Sequence, residues 1–495
     1  MSTVPPLAYA FAKRHGLLLL GEDDAGLRVG QREDAGRLAL LELRRLLGRD
    51  FAVEVLPGEV FDRQLAERYA SGALDEGDPA QLGLDASLDA LAEDIPDTAD
   101  LLDNQDDAPV IRLINGMIAE AVRRGASDIH IEPYEGSLRV RLRVDGVMQQ
   151  VLELPARLAA MLVSRVKVMA RLDIAERRVP QDGRISLAMG ARALDVRVST
   201  LPARHGERVV MRILDKQQGL RGLDALGMQP AVRDALRDAL HLPNGIVLVT
   251  GPTGSGKTTT LYAGLALLND GSRNILTVED PIEYAIDGIG QTQVNGKVGM
   301  TFAAGLRAIL RQDPDVVMVG EIRDPETAQI AVQASLTGHL VLSTVHTNNS
   351  VGAITRLRDM GIERFLLAST VRLVLAQRLV RRLCPECRAL RAPDPLSARL
   401  MGADYRGPLF QAVGCPVCRH TGFAGRLGIY EVLAVGDTLR ALINAGADED
   451  ALAHAARIDA GWLADAARDA VADGLTTVEE ALRVSRQEAR DDALV

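Results

Sequence analysis

The stretch "GIVLVTGPTGSGKTTTLYAGL", from Gly245 to Leu265, is the most specific structural signal in this 495-residue chain. It opens with a continuous run of branched apolar residues, which is typical of a strand buried on both faces of a parallel sheet. A glycine-rich turn follows, and a helical pattern leaves the turn. Later apolar strands ("NILTVED", "VVMVGE" and "HLVLSTVH") alternate with helices, so the sequence predicts an α/β domain with a parallel sheet.

The glycine-rich turn has the composition of a phosphate-binding loop. Two glycines, a lysine and a threonine stand at the P-loop spacing: Gly251, Gly256, Lys257 and Thr258. Glycines let backbone N–H groups curl around phosphate oxygens, and the helix N-terminus adds partial positive charge. A chance glycine-rich turn is the alternative, but the strand and helix on either side of the loop count against it.

The loop therefore predicts a site for ATP and Mg²⁺. Lys257 would reach the β- and γ-phosphates, and the Thr258 hydroxyl would ligate the magnesium ion. The predicted nucleotide-binding residues are Gly251, Pro252, Thr253, Gly254, Ser255, Gly256, Lys257 and Thr258, with Glu279 and Asp280 from a later strand.

A second strand, in "PDVVMVGEIRD", ends at Gly320 and Glu321. Ligands of a parallel sheet bind at the carboxyl ends of its strands. We therefore predict that Glu321 orients and polarises the attacking water. The alternative is a glutamate that caps the next helix.

Two further motifs add acids and histidines. In "TVEDPIEY", Glu279, Asp280 and Glu283 would repel one another unless a cation such as that of Mg²⁺–ATP sits among them. A solvated acidic face is the alternative. In "TGHLVLSTVHTNNS", His346 is a candidate for the γ-phosphate region and His339 a weaker one, while a structural role stays open for both.

Four cysteines form two matched pairs with 27 residues between them: Cys384, Cys387, Cys415 and Cys418. Each C-x-x-C lets two thiolates reach one tetrahedral ion, so the pattern predicts a closed, structural zinc site with four cysteine ligands. A redox-active pair and inert thiols are the alternatives. We also expect neighbouring arginines, among them Arg378, Arg381 and Arg388, to surround the thiolates.

Composition and charge bear on the class of protein and on its cellular location. A net charge of −10 argues against a general nucleic-acid binder. About a dozen acids and no Lys or Arg lie between Asp75 and Val110, which predicts a solvated linker or a docking strip for a basic partner. The apolar run from Phe365 to Val380 contains arginines, and "GLLLLG" is too short for a signal peptide, so we expect a cytoplasmic protein.

At this point four motifs stand in order: "GPTGSGKTT", "TVEDPIEY", "VVMVGEIRDPETA" and "TGHLVLSTVHTN". Together they resemble the Walker A, Asp box, Walker B and His box of the secretion ATPase superfamily. "RGASDIHIEP" and "RVPQDGRI" resemble the N-terminal domain of the same superfamily. Within it, the opening "PLAYAFAKRHGLLLL" and the short N-terminal region are most similar to the type II secretion members, and the paired cysteines are not typical of the retraction members.

The resemblance implies an ATP-hydrolysing motor for pseudopilus assembly that works as a homo-hexamer at an inner-membrane platform. Arg197, Arg208 and Arg212 would neutralise phosphate charge when their domain closes over the nucleotide. The N-terminal region would bind the cytoplasmic domain of an inner-membrane secretion protein (GspL-like), which would make the motor peripheral to the membrane.

The predicted organisation has six parts. They are a partner-docking domain (1–74), an acidic linker (75–107), a small α+β domain (108–228), a RecA-like P-loop core (229–380), a zinc subdomain (381–425) and a C-terminal helical subdomain (426–495).

Three rival functions stay open on the sequence. A type IV pilus assembly ATPase would share the motifs. A nucleic-acid translocase would normally show a basic stripe interleaved with aromatics, and we find none in the sequence. A nucleotide-sensing regulator would not need Lys257, Thr258 and Glu321 together.

Overall fold

The computed structural model describes most of the chain. The described residues are 15–61 (without 24–25, 34, 37–39, 41–42, 46–49 and 59), 88, 107–215 (without 190–191) and 222–483 (without 403–404 and 460–461). The chain divides into two compact units, Met1–Gln217 and Gln218–Val495. Among the described residues, no helix is long and apolar enough to cross a membrane.

The first unit begins with a small sheet of three strands, β1 (Leu17–Asp23), β2 (Gly26–Arg32) and β3 (Phe51–Leu56). β1 and β2 are antiparallel, and β2 and β3 are parallel. The predicted acidic linker lies almost entirely outside the described residues.

The larger part of the first unit is the predicted α+β domain. Its antiparallel sheet has the order β6-β5-β4-β9-β8-β7. The elements are α1 (Asp107–Arg123), β4 (Ala126–Pro133), β5 (Ser137–Val144), β6 (Val147–Pro155), α2 (Ala159–Met169), β7 (Gln181–Met189), β8 (Arg192–Ala203) and β9 (Gly206–Asp215).

Strand β5 shows why this sheet has one apolar face. Its sequence "SLRVRLRV" alternates, and successive side chains of a strand point to opposite faces. Leu138, Val140 and Leu142 are fully buried in the same apolar cluster as residues of α1 and α2. The arginines between them lie on the other face and are partly exposed.

The second unit contains a sheet of seven described strands in the order β12-β11-β13-β14-β10-β15-β18. The described neighbours are parallel except for β15 and β18, which are antiparallel. The strands are β10 (Gly245–Thr250), β11 (Ile275–Glu279), β12 (Gly290–Gln293), β13 (Val316–Val319), β14 (Leu340–Val345), β15 (Val371–Leu383) and β18 (Phe423–Ala434).

Helices cover both faces of this sheet and create two apolar clusters, which explains the continuous apolar runs of the central strands. β10 lies between β14 and β15, and all six of its residues are buried. The helices are α3 (Pro230–Leu240), α4 (Lys257–Leu268), α5 (Phe302–Ile309), α6 (Pro325–Leu336), α7 (Ser350–Asp359), α8 (Arg364–Thr370), α9 (Pro395–Met401), α10 (Asp437–Ala445), α11 (Glu449–Asp459) and α12 (Leu463–Ala472).

The cysteine region is continuous with this sheet. β15 runs directly into Cys384, and β18 begins shortly after Cys418. Between the two pairs lie α9 and a small hairpin of β16 (Ala389–Arg391) and β17 (Leu409–Gln411). The predicted boundaries after residues 380 and 425 therefore fall inside strands β15 and β18.

Candidate functional site

The P-loop joins the carboxyl end of β10 to the start of α4. Gly251, Gly254 and Gly256 have φ angles of 146°, 80° and 89°, which L side chains rarely adopt. At Gly251 a Cβ atom would lie 2.4 Å from the carbonyl oxygen of Gln377, so the loop is also packed too closely for a side chain. Because the first N–H groups of α4 have no intrahelical acceptor, the turn is suited to bind an anion.

Lys257 closes the loop on itself. Its Nζ donates to the carbonyl oxygens of Gly251 at 2.7 Å and Pro252 at 3.2 Å. Burial lowers the pKa of Lys257 to about 8; the charge of Glu321 opposes this shift, and that of Arg378 adds to it. At neutral pH the lysine is still mainly cationic, so it presents a poorly solvated positive charge to a phosphate group.

The structure brings three predicted catalytic residues together. His346 Nε2 lies 2.8 Å from Glu321 Oε1, and His346 Nδ1 lies 3.5 Å from Lys257 Nζ. Burial lowers the pKa of His346, and the charge of Lys257 lowers it further against the effect of Glu321. A neutral imidazole then donates from Nε2 to Glu321 and turns the Nδ1 lone pair toward the lysine.

Arg323 is a neighbour that the sequence analysis missed. Its Nε donates to Glu321 Oε2 at 2.7 Å, so both carboxylate oxygens of Glu321 are held by fixed donors. The signal was present in "GEIRD", because an arginine two residues after a strand-end acid can turn back to it.

The acidic motif divides into a buried and an exposed part. Glu279 is buried at the end of β11, where it accepts from the Tyr262 hydroxyl, from Thr277 Oγ1 at 2.5 Å and from Gln291 Nε2 at 3.1 Å. Asp280 is exposed and Glu283 is half-buried on the loop that follows. The described contacts of Glu279 are therefore with protein donors, whereas its neighbours reach the surface at the carboxyl edge of the sheet.

His339 lies away from this site. It immediately precedes β14, at the opposite edge of the sheet from the carboxyl ends, and its Nδ1 lies 2.9 Å from the Ala334 carbonyl oxygen. The structural alternative for His339 is therefore the correct one, because it closes the turn between α6 and β14.

The predicted arginines belong to the first unit. Arg197 and Arg212 are register partners on β8 and β9, and Arg208 lies on β9. Arg212 Nε donates to the buried Asp128 at 2.9 Å, and Arg208 pairs with the buried Glu132. The role of all three in nucleotide binding stays a prediction.

The four cysteines form one cluster whose Sγ atoms lie within 4.8 Å of one another. The Cys384–Cys415, Cys387–Cys418 and Cys415–Cys418 separations are 4.0, 3.7 and 3.8 Å. Tetrahedral zinc with Zn–S bonds of ~2.3 Å places sulfur atoms about 3.8 Å apart. The donor set and its spacing therefore fit a zinc ion, and the sulfurs are too far apart for disulfides.

Backbone donors also stabilise thiolate in the cluster. Burial raises the pKa of the Cys418 thiol, but the N–H groups of Cys415 and Gly422, together with the neighbouring Cys387 and Cys415 thiols, more than offset it and bring this pKa to about 6. A thiolate is the form that binds a metal.

The described hydrogen bonds of Arg378, Arg381 and Arg388 are with groups other than the thiolates, so their expected place around the cysteines stays a prediction. Arg378 donates to the Asn348 carbonyl oxygen, Arg381 pairs with Glu480, and Arg388 donates to the Gly474 carbonyl oxygen. These guanidiniums tie the base of the cysteine region to other parts of the second unit.

Comparisons with known proteins follow the same division of the chain. The family model described as "Type II/IV secretion system protein" matches residues 103–483. A second model, for an N-terminal domain of the protein described as "GSPII protein E", matches residues 6–69.

Individual relatives match nearly the whole chain. The type II secretion system protein E of Pseudomonas aeruginosa is 55% identical over 98% of this chain and 97% of its own. The type II secretion system ATPase E of Vibrio cholerae is 53% identical over 97% of each chain. A solved structure of the pilus retraction motor PilT with bound ADP is 26% identical with a TM-score of 0.51, and covers 74% of this chain and 96% of that one. The chain therefore belongs to the type II/IV secretion system ATPases and, among them, to the type II secretion protein E family.

Proposed function

We propose that this chain is the ATP-hydrolysing motor of a type II secretion system, which drives pseudopilus assembly and protein export through the outer membrane. The observation that carries the proposal is the contact of Lys257, His346 and Glu321 at the carboxyl edge of the sheet. Family membership supports the secretion role.

The P-loop binds the phosphate groups of ATP through its backbone N–H groups and the helix N-terminus. Lys257 exchanges its two carbonyl acceptors for phosphate oxygens when ATP binds. Thr258 is exposed at the start of α4 and would hold Mg²⁺, which neutralises charge on the phosphates when bound. Asp280 and Glu283 line the same edge.

Glu321 orients the attacking water. Its oxygens each have a second lone pair, so the carboxylate accepts from water while His346 and Arg323 fix its position. Catalysis by such a site is mainly positioning and electrostatics. Arg197, Arg208 and Arg212 supply further positive charge when their domain closes over the nucleotide.

The assembly state and partners complete the proposal. The chain acts as a homo-hexamer on the cytoplasmic face of the inner membrane, at the secretion platform. Residues 1–74 bind the cytoplasmic domain of a GspL-like membrane protein, and the family match over residues 6–69 supports this role. The acidic segment 75–107 links this domain to the motor, and the cysteine cluster holds one structural zinc ion.

Secretion and phosphate release test the proposal together. Wild-type protein restores secretion to a strain that lacks its own type II secretion ATPase, whereas Lys257→Ala restores neither secretion nor ATPase activity. Restoration of pilus assembly instead of secretion would favour the pilus motor. Stimulation of ATPase activity by single-stranded DNA that disappears at higher salt would favour a nucleic-acid translocase.

A further inference from the structure

Strand β15 passes beside the P-loop and beside the loop that carries His346. It pairs in parallel with β10 up to the register of Thr250 and Ala376, where β10 ends and the P-loop begins. The next two residues of β15 are Gln377 and Arg378, and both are buried. Polar side chains are rarely buried in a central strand unless they satisfy specific partners.

Gln377 links the P-loop to helix α4. Its Nε2 donates to the Ser255 carbonyl oxygen at 2.7 Å, and its Oε1 accepts from Thr260 Oγ1 on α4 at 2.7 Å. The same amide lies against Gly256, where a Cβ atom would be 2.8 Å from Nε2. One side chain therefore fixes the loop that binds the phosphates to the helix whose N-terminus faces them.

Arg378 holds the other loop. Its Nη2 donates to the Asn348 carbonyl oxygen at 2.5 Å, two residues after His346. Adjacent side chains of a strand point to opposite faces of the sheet. Gln377 accordingly reaches α4 on one face, while Arg378 reaches the segment that leads into α7 on the other.

We propose that Gln377 and Arg378 are a pair of positioning residues with separate tasks: Gln377 sets the affinity for nucleotide through the P-loop, and Arg378 sets the rate of hydrolysis through the His346 loop. The inference rests on the roles proposed above for Lys257, His346 and Glu321. The P-loop contacts phosphates in the bound ground state, whereas His346 acts through Glu321 on the attacking water. A displaced P-loop thus weakens binding, and a displaced His346 loop slows the chemical step.

The test compares two substitutions of similar volume in the full-length protein. Gln377→Met removes both amide contacts and should raise the Kd of a fluorescent ATP analogue about tenfold, with kcat at saturating ATP within about threefold of wild type. Arg378→Met should lower kcat about 30-fold with Kd within about threefold, because misplacement of a catalytic group by ~1 Å can cost 10²-fold. Both values come from the same protein preparations.

Two further variants keep the test informative if one protein folds poorly. Thr260→Val removes the partner of Gln377 from the helix side, so it should raise Kd in the same direction as Gln377→Met. Arg378→Lys retains the charge and a donor, so it should recover most of the turnover that Arg378→Met loses.

Arg372 provides the matched control. It lies on the same strand, is partly buried, and donates to the Asn244 carbonyl oxygen at 3.3 Å, at the edge of the sheet away from the P-loop. Arg372→Met should lower the melting temperature as Arg378→Met does, while Kd and kcat stay at wild-type values.

The outcomes separate this inference from the proposed function. Equal losses of affinity and turnover in Gln377→Met and Arg378→Met, or the same losses in Arg372→Met, would mean that the strand has only a structural role. If Lys257→Ala or Glu321→Gln retained full activity, the proposed active site itself would be wrong. If those two variants lost activity but Gln377→Met and Arg378→Met did not differ in their effects on Kd and kcat, only the inference about β15 would be overturned.

Discussion

Replacing Glu321 by glutamine tests the assignment of the residue that orients the attacking water. The side chains of glutamate and glutamine have the same shape, but the glutamine amide has one acceptor oxygen and one donor nitrogen, whereas the glutamate carboxylate has two acceptor oxygens. In the structure both oxygens of Glu321 accept, from His346 Nε2 at 2.8 Å and from Arg323 Nε at 2.7 Å. One of these donors would therefore face the NH₂ group.

His346 cannot relieve this conflict by changing its tautomer. A proton on Nδ1 would point at the Lys257 ammonium group, 3.5 Å away. Arginine is always a donor at Nε. We therefore expect Glu321→Gln to lose one positioning contact as well as the ability to accept a proton, and kcat to fall by about 10²–10⁴-fold.

Nucleotide binding should be nearly unaffected, because the described contacts of Glu321 do not involve the P-loop backbone. The assay is steady-state phosphate release beside equilibrium binding of a fluorescent ATP analogue. Glu326→Gln is the matched control, since Glu326 is exposed on α6 and pairs only with Arg307 among the described residues. Hydrolysis by Glu321→Gln within about threefold of wild type would refute the assignment, because general-base catalysis contributes far more than that.

Three other outcomes follow from the site and the cysteine cluster. Because burial places the pKa of Lys257 at about 8, the lysine loses its charge as the pH rises through that value. ATP affinity should therefore fall about tenfold between pH 7 and pH 9. The variant Lys257→Arg stays charged and should show no such pH dependence in the same titration. Gly251→Ala should raise the Kd for ATP by at least about tenfold, since the new Cβ would lie 2.4 Å from the Gln377 carbonyl oxygen at a φ of 146°; a normal Kd would contradict the close packing. Cys415→Ser should remove about one zinc ion per chain and make residues 384–422 sensitive to protease, with ATP affinity unchanged. Elemental analysis measures the zinc content, and limited proteolysis measures the sensitivity. Wild-type protein purified without zinc would refute the metal assignment.

The parts of the fold that could be predicted from the sequence are those marked by a short, continuous sequence pattern. The P-loop is recognisable in the sequence because its backbone requires the glycines, and each site residue follows an apolar strand at the carboxyl edge. Glu321 and His346 could be placed near Lys257 from this rule alone, before any distance was known.

Strand β15 shows why the rest could not be predicted. Its sequence follows an apolar helix without a break, and an apolar run does not distinguish a buried strand from a buried helix. Its pairing with β18 joins residues about fifty positions apart, which no local pattern records. The partners of Arg378 and Arg381 are Asn348 and Glu480, which lie 30 and 99 positions away in the chain, so no local pattern records these contacts either.

The cysteine cluster, which joins the two ends of the segment from Cys387 to Cys415, makes that segment a suitable place for an insertion. Because both ends of the segment from Cys387 to Cys415 meet at one cluster, its outer turn can be lengthened without moving β15 or β18. Gly402 follows α9, is exposed and has open space where a side chain would point. Closure entropy rises by only about 0.6 kcal/mol for each doubling of loop length, so even a long insertion costs little. A fluorescent protein inserted after Gly402 would mark the motor in living cells and leave both chain termini unaltered.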